Sequence, residues 1–164
     1  MEFLPLKEYS EKILVPEWLV IARREEENYV DVKEVRATSN IPQGYMIVDF
    51  KHSENMQSAL EKAVFEKGRI IMAGTPGIFA IKNPDKSYKV LFTNATNPVI
   101  EYMIRNPDNS IVLGGDTAGE IKAAGIQYCG KSSSGGGSSL YYISHGTTPL
   151  LEALKQNKHR FSQY

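Results

Sequence analysis

The sequence has almost no cysteine, no net charge and no long apolar run, and each of these shortages excludes a class of protein. Cys129 is the only cysteine, so an internal disulfide is excluded, and together with three scattered histidines it offers no zinc-ligand spacing. The 19 basic and 19 acidic side chains cancel, so no overall field attracts the chain to nucleic acid or to an anionic membrane. We therefore expect no nucleic-acid partner, no membrane partner and no tightly bound metal.

The first residues also lack the pattern of a targeting signal. The stretch "MEFLPLKEYSEKILVP" contains five charged side chains between Glu2 and Lys12, which leaves no apolar segment of a signal peptide. Without such a signal, and with one unpaired cysteine, the pattern favours the reducing cytoplasm. A length of 164 residues with 41% hydrophobic and 23% charged side chains is typical of one globular domain, which we expect to span residues 1–164.

Short apolar runs alternate with helical patterns along the chain. The runs cover residues 18–22, 46–50, 69–73 and 111–114, and they are uninterrupted, as in strands that are covered on both faces of a mainly parallel sheet. The segment "RREEENYVDVKEVRA" alternates apolar and polar residues and predicts an antiparallel hairpin partner at one edge. The predicted fold class is α/β, three-layer and Rossmann-like, with a mainly parallel sheet of about four or five strands.

Two helices are predicted from the amphipathic spacing of apolar residues and from residue types that are typical of helix ends. Residues 53–67 place Met56 and Leu60 on one face, with Ser53 as the amino-terminal cap and Gly68 as the end. A second helix begins near residue 96, with Pro98 in its first turn.

Two glycine-rich turns follow predicted strands and are candidates for ligand binding. In "SIVLGGDTAGEIKAAG" the glycines Gly114 and Gly115 precede a short helix, whose free N–H groups and dipole favour phosphate, and Asp116 is suited to a magnesium ion bound to a nucleotide. In "RIIMAGTPGIFAI" a strand leads into Gly74 and Thr75 at the same end of the sheet. The alternative is that both are simple turns and that Asp116 only caps its helix.

The run of serine and glycine at residues 132–139, "SSSGGGSS", allows two interpretations. Its composition is that of a flexible linker. We expect no second domain beyond the run for a linker to tether, so the run is also a candidate for one wall of a binding pocket.

Four stretches resemble the phosphoglycerate kinase family, in the family's order. "SIVLGGDTAGEIKAAGI" followed by "KSSSGGGSSLYYISHGTTPLLEAL" is similar to the family's Gly-Gly-Gly-Asp-Ser/Thr turn and Ser-Thr-Gly-Gly-Gly-Ala motif. Upstream, "KILVPEWLVIA", "IPQGYMIVDF" and "RIIMAGTPGIF" are similar to Leu-Leu-Pro-Val-Asp-Val-Val-Val-Ala, Ile-Pro-Asp-Gly-Trp-Met-Gly-Leu-Asp-Ile and Trp-Asn-Gly-Pro-Met-Gly-Val-Phe. The resemblance implies the later part of a carboxyl-terminal nucleotide-binding domain, with a Mg-nucleotide, ATP or ADP, as ligand.

On this resemblance the candidate ligand contacts lie in three motifs, and Asp116 is also the candidate metal contact. They are Gly74, Thr75, Gly114, Gly115, Asp116, Thr117, Ser134, Gly135, Gly136 and Gly137.

Several positions depart from the family pattern. Ala73 stands where the family has asparagine, and Ala80 where it has a glutamate associated with the nucleotide ribose. Leu113 replaces the first glycine of the phosphate turn, and Ser134 replaces a threonine. The phosphate side of the site is thus better preserved than the nucleoside side. No residue is assigned as catalytic.

The other polar candidates have plainer interpretations. Asp49 matches a family aspartate and is equally compatible with a ligand role and with hydrogen bonding to backbone. His52 is expected to be a partly exposed loop residue, His145 and His159 surface residues, and Cys129 a small packing residue.

Three functions remain open from the sequence. The first is binding of a phosphate-bearing ligand, without self-sufficient kinase activity, because the arginines that hold 3-phosphoglycerate and a phosphate-binding lysine belong to parts of the family outside the resemblance. The second is a non-catalytic interaction module, a homo-oligomer or a complex with a separate chain, in which the apolar stripe of "TTPLLEALKQNKHRF" is covered. The third is one chain of a split kinase.

Overall fold

The computed structural model describes residues 14–161, with side chains up to residue 158. This part of the chain contains eight strands and five α-helices. The strands are β1 (Trp18–Glu25), β2 (Asn28–Arg36), β3 (Tyr45–Lys51), β4 (Ile70–Ala73), β5 (Ala80–Lys82), β6 (Tyr88–Val90), β7 (Ser110–Leu113) and β8 (Lys131–Ser133). The helices are α1 (Glu54–Phe65), α2 (Thr96–Arg105), α3 (Gly115–Ala123), α4 (Gly136–His145) and α5 (Pro149–Phe161).

The parallel sheet has the order β4-β7-β8. The buried residues around it form the core of the α/β fold. Met72 and Val112 on neighbouring strands are paired in register, and Val112 is paired in turn with Ser132. The buried residues that pack around these strands are Met72, Phe79, Ile100, Met103, Val112 and Ile121. The α/β class is confirmed, but three parallel strands form the sheet where four or five were predicted.

A separate antiparallel sheet has the order β2-β1-β3. The predicted hairpin partner is confirmed, because β2 pairs with β1 from Trp18 opposite Arg36 to Glu25 opposite Asn28. The assignment of residues 18–22 and 46–50 to a parallel sheet was wrong, since β1 and β3 pair antiparallel.

A β-bulge explains why β1 looked like a parallel strand. The pairing register shifts on both sides of Ile21, and the side chains of Val20, Ile21 and Ala22 are all buried, at 4%, 0% and 0% exposure. A bulge interrupts the alternation of side chains, so consecutive apolar residues are buried although the strand is not in a parallel sheet.

Both predicted helices are present. Ser53 caps α1, since its Oγ accepts a hydrogen bond from the Met56 N–H at 3.3 Å. The helix ends with Lys67 in the left-handed region at φ 51°, and the Gly68 N–H donates to the Ala63 carbonyl at 2.6 Å. Helix α2 begins at Thr96, as expected. None of the helices within residues 14–161 has the combination of length and hydropathy that a membrane span requires.

The segment that leads into hairpin β5–β6 connects the two sheets. The Ile78 N–H donates to the Val48 carbonyl at 2.8 Å, and the Phe92 N–H donates to the Ile78 carbonyl at 3.1 Å. Ile78 packs against the cluster of the antiparallel sheet, whereas Phe79, pointing the opposite way, is buried in the core of the parallel sheet. The hairpin is thereby held beside the parallel sheet.

Asp49 at the end of β3 is buried, at 1% exposure, and its hydrogen-bond partners within residues 14–158 are backbone groups. Its carboxylate accepts hydrogen bonds from the N–H groups of Phe50 at 2.9 Å, Asn94 at 2.8 Å and Ala95 at 3.1 Å. A Cβ atom at Gly77 would lie 2.6 Å from Asp49 Oδ1, so only glycine fits there. Of the two roles left open for Asp49, the structure supports hydrogen bonding.

Replacement of Asp49 by alanine should destabilise the fold strongly. The change leaves three backbone N–H groups without an acceptor, that of Ala95 fully buried, and we expect a loss of about 3 kcal/mol in the free energy of unfolding. Urea denaturation followed by circular dichroism measures it. Asp108→Ala, at an exposed carboxylate, is the matched control and should change stability by less than about 0.5 kcal/mol. Equal effects of the two variants would contradict the role given to Asp49.

Candidate functional site

The candidate site lies at the carboxyl ends of the parallel strands. Strand β7 ends at Leu113 and is followed by Gly114, whose φ of 101° and ψ of 132° only glycine adopts without strain, and α3 begins at the next residue. Gly74 follows β4 with a φ of 102°. At both turns the backbone conformation, and not only the absence of a side chain, requires glycine.

The serine and glycine run folds against the Gly114 turn. The Gly114 N–H donates to the Ser133 carbonyl at 2.8 Å, and the Gly115 N–H donates to the Ser134 carbonyl at 3.2 Å. A Cβ atom at Gly136 would lie 3.4 Å from the Cα atom of Gly114. The run contributes strand β8 and the start of α4, so the linker interpretation was wrong.

Helices α3 and α4 therefore begin beside each other, and each leaves backbone donors free. Among the described residues, the N–H groups of Asp116, Thr117, Gly136 and Gly137 have no hydrogen-bond acceptor. The unpaired N–H groups of a helix start carry partial positive charge and attract anions. Two such starts in contact place free N–H donors side by side, an arrangement whose chemistry suits an anion without a basic side chain.

The side chains of the α3 turn divide between the surface and the interior. The Thr117 side chain is buried, at 6% exposure, beneath the turn. Asp116 is exposed, and within residues 14–158 no side chain hydrogen-bonds to it or pairs with it. Its carboxylate is free to bind a cation.

A hydrogen bond links the β4 turn to α3. Thr75 Oγ1 donates to Glu120 Oε2 at 3.0 Å. The turn after β4 thus contacts the helix that follows the β7 turn, through a glutamate that the sequence did not indicate. Glu120 lies one helical turn after Asp116, and that i, i+4 spacing was the only available signal for it. Gly74 holds the turn with its φ of 102°, and among the described residues no hydrogen bond joins it to the other candidates.

A cavity of about 410 Å³ opens beside this hydrogen bond. Hairpin β5–β6 forms one wall and α3 the other, and the lining residues are Ala80, Lys82, Tyr88, Gly115, Asp116, Gly119 and Glu120. Sequence reasoning missed Lys82 and Tyr88 because it did not predict the short hairpin that brings them here, although the Asn-Pro-Asp sequence of residues 83–85 is a turn signal.

The remaining candidates lie outside this site. His52 Nε2 bonds to the Ala95 carbonyl at 2.8 Å, which gives this half-buried histidine a structural role. His145 is exposed, as expected, and stacks on Tyr141 with ring centroids 4.0 Å apart. Cys129 is exposed, so its assignment as a packing residue was wrong. The side chain of His159 is outside the described residues.

The residues present fit magnesium that is bound together with a phosphate, and they do not fit a metal held by protein alone. Within residues 14–158 no group of three or more His, Cys, Asp or Glu side chains is positioned to hold a metal. Mg²⁺ keeps several waters and commonly takes only one or two carboxylates in addition to phosphate oxygens. Asp116 provides one such carboxylate.

Comparisons with known proteins agree on one family. The family model for phosphoglycerate kinase matches residues 3–146. The phosphoglycerate kinase of Thermoplasma volcanium is 27% identical over 163 residues, which is 95% of this chain and 34% of the relative. The phosphoglycerate kinase of Corynebacterium urealyticum is 30% identical over 156 residues, 91% of this chain and 35% of the relative. The chain thus spans about a third of the length of these curated relatives.

Solved structures agree on the fold. The structure of phosphoglycerate kinase from Coxiella burnetii superposes with a TM-score of 0.63 at 20% identity, over 96% of this chain and 37% of that one. The crystal structure of the enzyme from Pyrococcus horikoshii gives a TM-score of 0.58 at 20% identity, over 97% and 36%.

Alanine at Gly114 should strain the turn between β7 and α3. Its φ of 101° is unfavourable for any residue with a Cβ atom, and we expect a loss of about 2 kcal/mol in stability. Thermal unfolding measures it. Gly137→Ala is the matched control, because a Cβ atom there meets nothing within 4 Å and alanine favours a helix. Similar destabilisation by both variants would show that the turn conformation is not required.

Proposed function

Because the chain belongs to the phosphoglycerate kinase family, we propose that it binds a phosphate-bearing ligand, a purine nucleotide together with Mg²⁺, at the carboxyl ends of β4, β7 and β8. The observation that carries the proposal is the contact between the starts of α3 and α4, where Gly136 lies against Gly114. The phosphates of the nucleotide bind the free N–H groups of the two helices.

Seven of the ten predicted residues then have a defined role. The backbones of Gly114, Gly115 and residues 134–137 surround the phosphates, where the glycines allow close approach. The Asp116 carboxylate takes one coordination position of the Mg²⁺ that accompanies them. The bound magnesium supplies neutralisation of phosphate charge, and the chain itself contributes orientation and hydrogen bonds.

Kinase turnover by this chain alone is not part of the proposal. Ala73 and Ala80 stand where the family pattern has asparagine and glutamate, so two polar contacts on the nucleoside side are missing. Phosphoryl transfer depends on positioning and charge neutralisation by many groups, and the match extends over only about a third of the relatives.

We also propose that residues 1–164 act as one domain, in the cytoplasm, with no nucleic-acid or membrane partner.

A second candidate function is interaction with another protein surface, and α4 favours it. Leu140, Tyr141, Tyr142 and Ile143 are between 43% and 51% exposed, and no residue of α4 is buried. Consecutive exposed apolar side chains are commonly covered by a partner. We propose a homo-oligomer, or a complex with a separate chain, which includes the case of a split kinase.

Calorimetric titration with Mg-ADP and Mg-ATP tests the nucleotide proposal. We expect binding by the unmodified chain, and we expect Asp116→Ala to weaken it about tenfold, because one ligand of the magnesium is lost. Removal of magnesium with EDTA should weaken binding by the unmodified chain to a similar extent. Asp108→Ala is the control and should bind normally. The absence of any binding at millimolar nucleotide would refute the proposal.

Analytical ultracentrifugation tests the interaction proposal. We expect a dimer that Ile143→Glu dissociates, because the substitution places a charge among the exposed apolar side chains of α4. Val32→Glu is matched in exposure, with 50% for Val32 against 51% for Ile143, and should leave the dimer intact. A monomer at every concentration would exclude the homodimer.

A further inference from the structure

A second cavity lies on the opposite side of α3 from the proposed phosphate site. Its volume of about 500 Å³ is in the range of small-molecule sites. Helix α3 contributes Ala118, Ile121 and Lys122 to this cavity, whereas Asp116 and Glu120 line the cavity on the phosphate side. Because an α-helix has about 3.6 residues per turn, these two sets of side chains lie on opposite faces of α3.

The second cavity lies over the outer strand of the parallel sheet. Val112 of β7 and Ser132 of β8 are paired and point to the same face of the sheet. Val112 is buried and packs in one cluster with Ile121 of α3, whereas Ser132 is exposed. Helix α3 thus covers β7 on this face and leaves β8 open, so that the cavity has an apolar floor beside a solvent-accessible edge.

Tyr128 forms a fixed aromatic wall of this cavity. Its hydroxyl lies 2.9 Å from Ser110 Oγ, and a Cβ atom at Gly130 would collide with the tyrosine ring. Burial raises the pKa of the Tyr128 hydroxyl, so this group stays neutral at physiological pH. The ring is therefore held in place and adds no negative charge to the cavity.

One cation stands at the rim of the cavity. Lys122 is the only charged side chain among the described residues that line it. This lysine is exposed, and within residues 14–158 it forms no ion pair. An apolar floor, an aromatic wall and a single cation are complementary to a molecule with an apolar, flat body and one negative charge.

We propose that this cavity binds a small aromatic anion, a flat ring system that carries one carboxylate or sulfonate. The rings contact Val112, Ile121 and Tyr128, and the anionic group lies at Lys122. The site is separate from the proposed nucleotide site, and the inference does not rest on nucleotide binding.

Cys129 provides a readout that is specific to this cavity. It is the only cysteine of the chain, it lines the cavity and it is exposed. The probe is 8-anilinonaphthalene-1-sulfonate, whose fluorescence reports binding, and N-ethylmaleimide alkylates the thiol. At about ten times its dissociation constant the probe should slow alkylation about tenfold, because only the unoccupied fraction of the protein reacts.

Replacement of Lys122 by alanine tests the contact with the anion. We expect Lys122→Ala to weaken binding of the sulfonate about fivefold and to leave the affinity for N-phenyl-1-naphthylamine, which has no sulfonate, unchanged. Lys131→Ala is the matched control, because Lys131 is an exposed lysine of β8 that does not line the cavity. It should bind both compounds normally.

A larger side chain in the cavity tests its location. Ser132→Trp should fill the space, abolish binding of both compounds and slow alkylation of Cys129 without any ligand. Lys131→Trp is the matched control, because neighbouring residues of a strand point to opposite faces, and it should change neither. Circular dichroism melts establish that each variant is folded.

Three outcomes would overturn the proposal. One is that the probe fails to slow alkylation of Cys129 in the unmodified chain. Another is that Lys122→Ala weakens binding of the sulfonate no more than Lys131→Ala does. The third is displacement of the probe by millimolar Mg-ADP, which would place it in the nucleotide site. If Mg-ADP does not bind at all, the proposed function fails, whereas protection of Cys129 by the probe still supports this second site.

Discussion

The buried carboxylate of Asp49 is the constraint on which the arrangement of the site depends. Two of its three backbone hydrogen bonds, those from Asn94 and Ala95, attach the end of β3 to the residues just before α2, and its Oδ1 leaves room only for glycine at position 77. Residue 77 leads into the segment that ends in hairpin β5–β6. A buried charge with fewer partners would be strongly destabilising, so the loops have little freedom to move away from it. The antiparallel sheet thus fixes the position of hairpin β5–β6, which forms one wall of the cavity.

The proposed phosphate site uses backbone rather than charge. Gly114 and Gly74 adopt φ values of 101° and 102°, and the close approach of Gly136 to Gly114 brings two helix starts into contact. Such a site is compatible with a net charge of zero, because the partial charges of the helices replace basic side chains. The conformation of this site depends on its glycines, and ionic strength alone does not determine it.

Local signals in the sequence predicted the elements better than their pairing. The Ser53 cap and the start of α2 at Thr96 follow from side-chain chemistry within one helical turn, and both are present. The direction of β1 was misjudged, because a bulge at Ile21 produces the same run of buried residues as a strand covered on both faces. The serine and glycine run was ambiguous for a similar reason, since composition does not reveal that β7 pairs with it.

The sequence by itself determined the α/β class, most element positions and the family, because cap residues, apolar periodicity and glycine motifs act over a few residues. It also identified the turns at Gly114 and at residues 134–137. Only the tertiary structure decided that Thr75 meets Glu120, 45 positions away, and that Lys82 and Tyr88 face α3 across one cavity. Contacts between residues so far apart depend on how hairpin and sheet pack together, and no local pattern encodes that packing.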